Sequence, residues 1–308
     1  MNKNLIPIVF AFDEKCLLPA SIAIKSLLDS KKENTEYKIY VLHNGISNEN
    51  KNKFADIAEI EWIFVDKKIF KNYPINNIWP EIVYYRLLIP SLIKEFDKII
   101  YSDIDVLFKQ DLFEIYKLDL ENSYWAGVIA EKNNFNTMCH KYFPENKNKF
   151  IYMSGFMLIN AKRWQEEKLF EKLIENINIF KDRLRFFDLD LLNITCNDIK
   201  GIPFNYCVLE NIYHSKSLTK AKEYSWLKNV YSDKDLLLAK KNPAIIHYAG
   251  ANIKIWDRKT YKIPIYYWKY IKTSPFYNKK NIFLLFEKFI RLISNRNFLN
   301  SVKNKISG

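Results

Sequence analysis

The sequence predicts an α/β protein with a Rossmann-like, mostly parallel central sheet flanked by helices. Two observations lead to this fold class. Short, nearly all-apolar runs, which are typical of strands covered on both faces, alternate with segments of helical periodicity. The chain also has 308 residues, of which 48% are hydrophobic, and this is enough for a large buried core.

The alternation can be followed element by element. Strands are predicted at residues 5–12, 37–42, 61–65, 98–102, 124–130, 155–160 and 244–248. Helices are predicted at residues 17–30, 47–60, 81–96, 161–176 and 188–195. Pro90 should bend or break the third of these helices, because proline removes a backbone donor.

Charge divides the chain unevenly. The net charge is +13, and residues 261–308 contribute +9 of it through eight Lys and two Arg against one acid, Glu287. We therefore predict a folded domain at 1–260 and a basic, aromatic-rich tail at 261–308. Residues 282–293 place apolar and basic side chains on opposite helical faces, a pattern typical of a helix lying on a membrane surface. A helix docked on the protein's own core is the alternative.

Composition restricts the compartment. None of the four cysteines forms a C-x-x-C pair, so we expect neither a zinc site nor a disulfide scaffold, and a reducing cytosol is the simpler interpretation. The first apolar run is short and is followed by Asp13 and Glu14, which predicts no signal peptide. We expect no membrane span, because no apolar stretch reaches about 18 residues. Aromatic residues make up 16% of the chain, which fits either a sugar-binding groove or an A/T-rich genome.

Two carboxylates follow the predicted strand at 98–102. Asp103 and Asp105 stand two positions apart, a spacing that puts both on one side of an extended chain. Ligands of open parallel sheets bind beyond the carboxyl ends of the strands. Two close carboxylates there repel each other unless a cation joins them, and oxygen ligands suit Mg²⁺ or Mn²⁺. This pair therefore indicates a metal site, although D-x-D also arises by chance.

A second cluster of polar residues lies at the last predicted strand. His247 could complete an O,O,N ligand set with the two aspartates. Gly250 would let the backbone approach phosphates, and Lys254 could neutralise them. A lone histidine is more often an ordinary core or surface residue, but glycine, lysine and tryptophan at fixed offsets favour the ligand hypothesis.

These residues belong to a set of six short motifs that resembles glycosyltransferase family 8. The motifs are A-x-D at 11–13, Y-x-R-L at 84–87, D-x-D at 103–105, an element like N-[SA]-G at 153–160, an element like D-Q-D-x-L-N at 188–193, and a His…Gly…Lys-x-Trp element at 247–256 with Ile255 in place of proline. Each motif is short, but six in the family's order make the resemblance specific over roughly residues 5–275.

The resemblance implies a GT-A fold, a UDP-sugar donor, Mn²⁺ or Mg²⁺ as cofactor, and transfer that retains the anomeric configuration. The metal ligands would be Asp103, Asp105 and His247. The catalytic residues would be Arg86, Asp188 and Asp190. Donor contacts would come from Ala11, Asp13, Arg86, Ile104, Asp105, Ser154, Gly155, Asp188, Leu189, Gly250 and Lys254. Retention could arise by front-face attack or by double displacement, for which Asp190 is the nearest candidate nucleophile.

Two positions depart from the family pattern. Met153 stands where the N-[SA]-G element begins with Asn, and Leu189 replaces the Gln of D-Q-D. Each change removes an amide that could bind a sugar hydroxyl, worth about 1 kcal/mol. Three explanations stay open: a donor sugar with an apolar N-acetyl or deoxy group that packs here, an acceptor that supplies the lost contacts, or a weakened or inactive homologue.

The expected function is hexose transfer to a saccharide or glycolipid acceptor in lipopolysaccharide, lipooligosaccharide or other surface glycan synthesis. We expect a cytoplasmic enzyme held on the inner face of the plasma membrane, because the basic tail would meet an anionic membrane surface. A catalytically silent binding protein is one alternative. A basic nucleic-acid-binding protein is another, but the positive charge is confined to the tail and no nucleic-acid motif is found, so we expect no nucleic-acid partner.

Overall fold

A computed structural model describes residues 4–76, 79–134, 143–146, 148–249, 254–255 and 263–277. The strands are β1 (Asn4–Ala11), β2 (Thr35–His43), β3 (Ile60–Phe64), β4 (Lys98–Ser102), β5 (Val106–Phe108), β6 (Trp125–Lys132), β7 (Phe150–Asn160), β8 (Ile199–Ile202), β9 (Val208–Leu209) and β10 (Ile245–His247). The α-helices are α1 (Leu17–Asp29), α2 (Asn48–Ala55), α3 (Ile89–Leu92), α4 (Phe113–Tyr116), α5 (Ala161–Glu166), α6 (Leu169–Phe180), α7 (Asp188–Thr195), α8 (Glu210–His214), α9 (Tyr224–Leu227), α10 (Asp233–Lys241) and α11 (Ile265–Ile271).

The central sheet has seven strands in the order β3-β2-β1-β4-β7-β6-β8. All neighbouring pairs are parallel except the two that involve β7, which runs antiparallel to β4 and β6. The predicted α/β class with a mostly parallel sheet is therefore confirmed. The parallel pairing of β1 with β4 brings the carboxyl ends of both strands to the same edge.

Apolar side chains cover both faces of this sheet. Along β1, Ile6, Ile8 and Phe10 belong to one core cluster and Val9 belongs to another, as the two-residue period of a strand requires. Helices α1, α2 and α10 pack on the first face, and α5, α6 and α7 pack on the second. This double coverage explains why the strands are nearly all apolar in sequence.

Several predicted elements differ from the structure. The helix predicted at 47–60 ends at Ala55. The one predicted at 161–176 divides into α5 and α6, because Lys168 takes a left-handed conformation with φ of 49°. The segment predicted as a helix at 81–96 is a 3-10 helix at Glu81–Leu88 followed by the short helix α3, which has Pro90 in its first turn and ends at Leu92. The helix type therefore changes next to Pro90.

A second sheet of three strands, in the order β5-β10-β9, lies beside the first. The strand predicted at 244–248 is present as β10 (Ile245–His247), which pairs antiparallel with β5 and parallel with β9. Residue His247 pairs with Val106 and Leu209 at the end of this small sheet. It therefore sits next to the segment that follows β4.

Part of the predicted tail is described. Helix α11 packs its buried residues Tyr267 and Ile271 against Ile22, Leu107 and Ile246 of the main body. Within the described ranges no helix has the length and apolar character needed to cross a membrane. The amphipathic helix predicted at 282–293 lies outside the described residues, and the division at residue 260 stays a prediction.

Candidate active site

The candidate site lies at the sheet edge where β1 and β4 end. Asp13 follows β1 after one residue, and Asp103 follows β4 directly. The backbone N–H of Asp103 donates to the carbonyl of Gly155 on the neighbouring strand β7, at 2.8 Å. Asp105 comes just before β5, and its carbonyl accepts a hydrogen bond from Tyr248 at 2.8 Å. The two aspartates are thus anchored by backbone bonds to both sheets.

Asp103, Asp105 and His247 converge, as the sequence predicted. One ligand atom from each residue lies within 4.8 Å of the others. His247 Nε2 is 3.1 Å from Asp105 Oδ1 and 3.7 Å from Asp103 Oδ2. Ligands about 2.1 Å from a cation and on adjacent octahedral positions are roughly 3 Å apart. Two hard oxygens and one imidazole at these distances fit a divalent cation such as Mn²⁺ or Mg²⁺.

Gly155 shapes the space between these ligands. A Cβ atom at this position would lie 2.5 Å from His247 Cε1 and 2.9 Å from Asp103 Oδ2. Both contacts are too short for any side chain. The glycine therefore keeps open the gap in which the histidine and the first aspartate face each other.

Lys254 lies in the same cluster. Its Nζ donates a 2.8 Å hydrogen bond to Asp105 Oδ2, while His247 faces the other oxygen. Burial alone would raise the pKa of Asp105, but His247 and Lys254 hold this pKa well below its ordinary value. Burial would likewise lower the pKa of His247, but Cys207 and Asp105 raise it well above the ordinary value. The cluster therefore binds positive charge strongly.

Arg86 connects the cluster of Asp103, Asp105 and His247 to the next part of the pocket. It is 5% exposed, and its guanidinium donates to Asp103 Oδ1 at 2.9 Å and to the Ser154 carbonyl at 2.7 Å. Its Nη1 is also 3.1 Å from Asp188 Oδ2. Burial would lower the pKa of Arg86, but Asp188, Tyr101 and Asp103 raise it, so the group stays charged.

Asp188 opens helix α7 and receives a 2.8 Å hydrogen bond from Ser154 Oγ. Burial raises its pKa to about 6, and the nearby Arg86 guanidinium opposes this rise. The carboxyl group thus titrates closer to neutral pH than an ordinary aspartate. Arg86, Ser154 and Asp188 form one hydrogen-bonded group beside Asp103.

These groups line a single cavity of about 480 Å³. Ala11, Asp13 and Ile104 lie on its wall, as do Ser154, Gly155 and Lys254. A second part of the wall is apolar. It consists of Trp79, Pro80, Ile82, Val83, Met153, Phe186, Leu189 and Leu209. The cavity therefore joins a charged half to an apolar half.

One described residue of the predicted site is not brought into this cavity. Asp190 is buried, and its Oδ2 accepts hydrogen bonds from the backbone N–H groups of Arg185 and Phe186 at 2.7 and 2.8 Å, away from the cavity wall. These bonds hold the turn that precedes α7. Gly250 lies outside the described residues.

The sequence did not single out some residues of the site. Cys207 places its sulfur 3.2 Å from His247 Nδ1, and Tyr101 donates to Asp103 Oδ1 at 2.8 Å. Trp79 packs edge-to-face on Phe186, with ring centroids 5.7 Å apart, in the apolar wall. Tyr101 lies in the strand before Asp103 and could have been noticed. Cys207 and Trp79 are distant in sequence and belong to no motif.

Comparison with known proteins gives consistent matches. Residues 7–260 match the family model described as glycosyl transferase family 8. A lipopolysaccharide 1,2-glucosyltransferase of Escherichia coli is 26% identical, over 98% of this chain and 89% of its own length. General stress protein A of Bacillus subtilis is 26% identical, over 76% of this chain and 82% of its own length.

A solved structure supports the same fold. The crystal structure of the galactosyltransferase LgtC, in complex with donor and acceptor sugar analogues, superimposes with a TM-score of 0.73. The match covers 89% of this chain and 98% of that chain at 22% identity. At that identity the likeness supports the fold alone.

Proposed function

The chain belongs to glycosyl transferase family 8 and has the GT-A fold, and from this premise we propose that it transfers a hexose from a UDP-sugar to a saccharide acceptor with retention of configuration. One observation carries the proposal. Asp103, Asp105 and His247 converge in the same cavity as Arg86 and Asp188. A cation-binding cluster thereby adjoins groups that can bind sugar hydroxyls.

The residues present fit Mn²⁺ or Mg²⁺, because Gly155 leaves the gap between His247 and Asp103 open. Asp103, Asp105 and His247 would hold the ion. When bound, a divalent cation stabilises negative charge on a leaving diphosphate, so no separate general acid is needed.

The chain's own residues would bind the rest of the donor. Lys254 Nζ donates a hydrogen bond to Asp105 Oδ2, and in the same cavity it can reach phosphate oxygens. Ala11 and Asp13, at the end of β1, would contact uracil at one end of the cavity. Arg86 is fixed by Asp103 and Asp188, so it would orient sugar hydroxyls without losing freedom on binding.

We favour front-face attack for the reaction. Asp190, the candidate nucleophile for double displacement, accepts two backbone hydrogen bonds outside the cavity wall. Leu189, which does line the cavity, has no nucleophilic atom. A donor phosphate oxygen would then take the acceptor proton while the glycosyl centre stays within the cavity.

The donor sugar would carry an apolar substituent, such as an N-acetyl or deoxy group. Met153 and Leu189 stand on the wall beside Ser154 and Asp188, where sugar contacts are expected. Burying a methyl group against them stabilises binding by about 0.8 kcal/mol per carbon. The second candidate function is that of a catalytically silent sugar-binding protein. Met153 and Leu189 favour it too, because each stands where the family pattern has an amide that could bind a sugar hydroxyl.

Thermal-shift screening of the full chain with UDP-sugars and Mn²⁺ tests the donor, since bound ligand raises stability by RT ln(1 + [L]/Kd). We expect UDP-GlcNAc or a deoxy sugar to shift the melting temperature more than UDP-glucose. UDP release in the presence of acceptor then separates an enzyme from a silent binding protein. If no UDP-sugar shifts the melting temperature while EDTA and Mn²⁺ give equal curves, the proposal fails.

The acceptor would be a glycolipid or oligosaccharide of a bacterial surface glycan. The Escherichia coli relative supports this, because its name places it in lipopolysaccharide synthesis. The enzyme would work in the cytoplasm on the inner face of the plasma membrane, held by its basic tail. Removing residues 278–308 should release the protein from anionic liposomes, and unchanged co-sedimentation would rule the tail out as the anchor.

A further inference from the structure

A cysteine sulfur lies against His247, on the ring nitrogen that does not face Asp105. Cys207 ends a 3-10 helix at Phe204–Cys207, directly before β9, and is 1% exposed. Its Sγ lies 3.2 Å from His247 Nδ1, within the range of a sulfur hydrogen bond. None of the six motifs includes this residue.

The imidazole of His247 is held on three sides. Its Nε2 faces Asp105 Oδ1 at 3.1 Å, and its Nδ1 faces Cys207. Between them, Cε1 points at Gly155, where even a Cβ atom would come within 2.5 Å. A turn of the ring would take both nitrogens from these neighbours. The ring therefore has one orientation that suits a metal ligand.

A metal-binding imidazole also needs one particular tautomer. If Nε2 is to present its lone pair to a cation, the proton must sit on Nδ1, and a buried N–H without an acceptor costs about 1–3 kcal/mol. Metal-bound histidines usually donate this N–H to a carboxylate or a carbonyl. Here the group facing Nδ1 is the Cys207 sulfur.

We propose that Cys207 is a positioning residue for the metal ligand His247, accepting its Nδ1–H so that Nε2 faces Asp103 and Asp105. The inference rests on the proposed metal-dependent function. It adds to that function the residue that fixes the tautomer of His247 and the orientation of its imidazole ring.

A second sulfur extends the arrangement. The Cys207 thiol donates to Met153 Sδ at 3.5 Å, and Met153 lies on the apolar wall of the cavity. The thiol hydrogen is therefore directed away from the imidazole, which leaves a sulfur lone pair for Nδ1–H. This gives Met153 a second role besides contact with the sugar, and it links the charged half of the cavity to the apolar half.

The test is the affinity of the full-length protein for Mn²⁺ in the presence of UDP, measured from the electron paramagnetic resonance signal of free Mn²⁺. Cys207→Ala should raise the Kd for Mn²⁺ by about 10- to 100-fold, as loss of a partner behind a metal ligand does. Cys207→Ser retains an acceptor and should bind Mn²⁺ more nearly as wild type does. Met153→Leu keeps the volume and should weaken binding less than Cys207→Ala.

The control is Cys196→Ala, which removes the same atom from another fully buried cysteine in the opposite core cluster. It should destabilise the fold without changing the Kd for Mn²⁺. Equal Kd values for Cys207→Ala and wild type overturn the inference. An equal loss of Mn²⁺ affinity in Cys207→Ala and Cys207→Ser also overturns it, because it would show that the cysteine acts through packing alone. If wild type itself does not bind Mn²⁺, the proposed function fails first and the inference fails with it.

Discussion

The two halves of the cavity are built in different ways. In the charged half, one carboxylate oxygen of Asp105 faces His247 Nε2 and the other accepts from Lys254 Nζ, and Asp103 is fixed by Arg86 and Tyr101. In the apolar half, the wall around Leu189 is defined by packing, with few polar atoms. Directional bonds fix the position of the charged groups. Packing fixes only volume and shape, and it tolerates substitutions of similar size.

The two halves of the cavity should tolerate amino-acid substitutions to different extents. A bonded network loses most of its function when one member is removed, because the remaining charges stay buried without partners. An apolar wall can be altered one side chain at a time. We therefore expect large effects on turnover from the charged half and changes of preference from the apolar half.

The largest effect is expected at Asp105. Asp105→Asn keeps the size of the side chain but removes the charge that faces His247 and Lys254. It should lower kcat/KM on the order of 1000-fold, because stabilisation of the leaving group is lost. Sugar-transfer kinetics at saturating Mn²⁺ measure this. The control, Asp198→Asn, alters an exposed surface ion pair with Arg163 and should behave as wild type does.

Gly155→Ala should have the next largest effect. The added methyl group would be 2.5 Å from His247 Cε1, so the ring or the backbone must move. A displacement of about 1 Å costs roughly 100-fold in activity. Gly201→Ala is the matched control, because the atom nearest to its methyl group would be Cδ1 at the flexible end of the Ile129 side chain, at 3.0 Å. Similar activity in the two variants would contradict close packing of His247 and Asp103 around Gly155.

Asp188 lies between the two halves of the cavity, and it should make the free energy of unfolding depend on pH. Its pKa is raised to about 6 from the ordinary 3.8, so folding favours the protonated form. That stability is fully present below about pH 4 and is lost as the pH rises through about 6. Relative to Asp188→Asn, the wild type should lose on the order of 2 to 3 kcal/mol of unfolding free energy across this range. Denaturant titrations at several pH values test it, and parallel pH profiles for both proteins would disprove it.

The smallest effect is expected at Leu189. Leu189→Gln adds an amide that can bind a sugar hydroxyl, worth about 1 kcal/mol or roughly fivefold. It should shift the ratio of kcat/KM values towards hydroxyl-bearing donors and away from N-acetylated or deoxy donors. Leu189→Met keeps the wall apolar and should leave the ratio unchanged. A loss that is equal for all donors would place Leu189 outside the sugar contacts.

The sequence predicted the limits of elements that are set by residues next to them in the chain. Strand β4 has the predicted limits, because Asp97 and Asp103 flank its apolar segment, and helix α7 also begins and ends where it was predicted. Strand β7 was predicted from residue 155 but begins at Phe150. Its antiparallel direction depends on pairing with β4 and β6, and a single strand carries no signal of that.

The same distinction holds in the site. The structure brings Asp103, Asp105 and His247 together. The rule about strand ends accounts for the two aspartates after β4, whereas His247 reaches them through the pairing of β10 with β5. The contact of His247 with Cys207 was missed. The two residues are 40 positions apart and meet through the pairing of β9 with β10, which spacing does not encode.

The small sheet β5-β10-β9 also affects how the chain folds. Asp105 and His247 are 142 residues apart, and β10 must pair with β5 before they can meet. Contacts of such long separation form late, because the loop must close before the contact stabilises it. A chain emerging from the ribosome therefore presents Asp103 and Asp105 long before their histidine is made. Binding of a cation at this site would mark a chain whose synthesis has passed β10 and whose two sheets have docked.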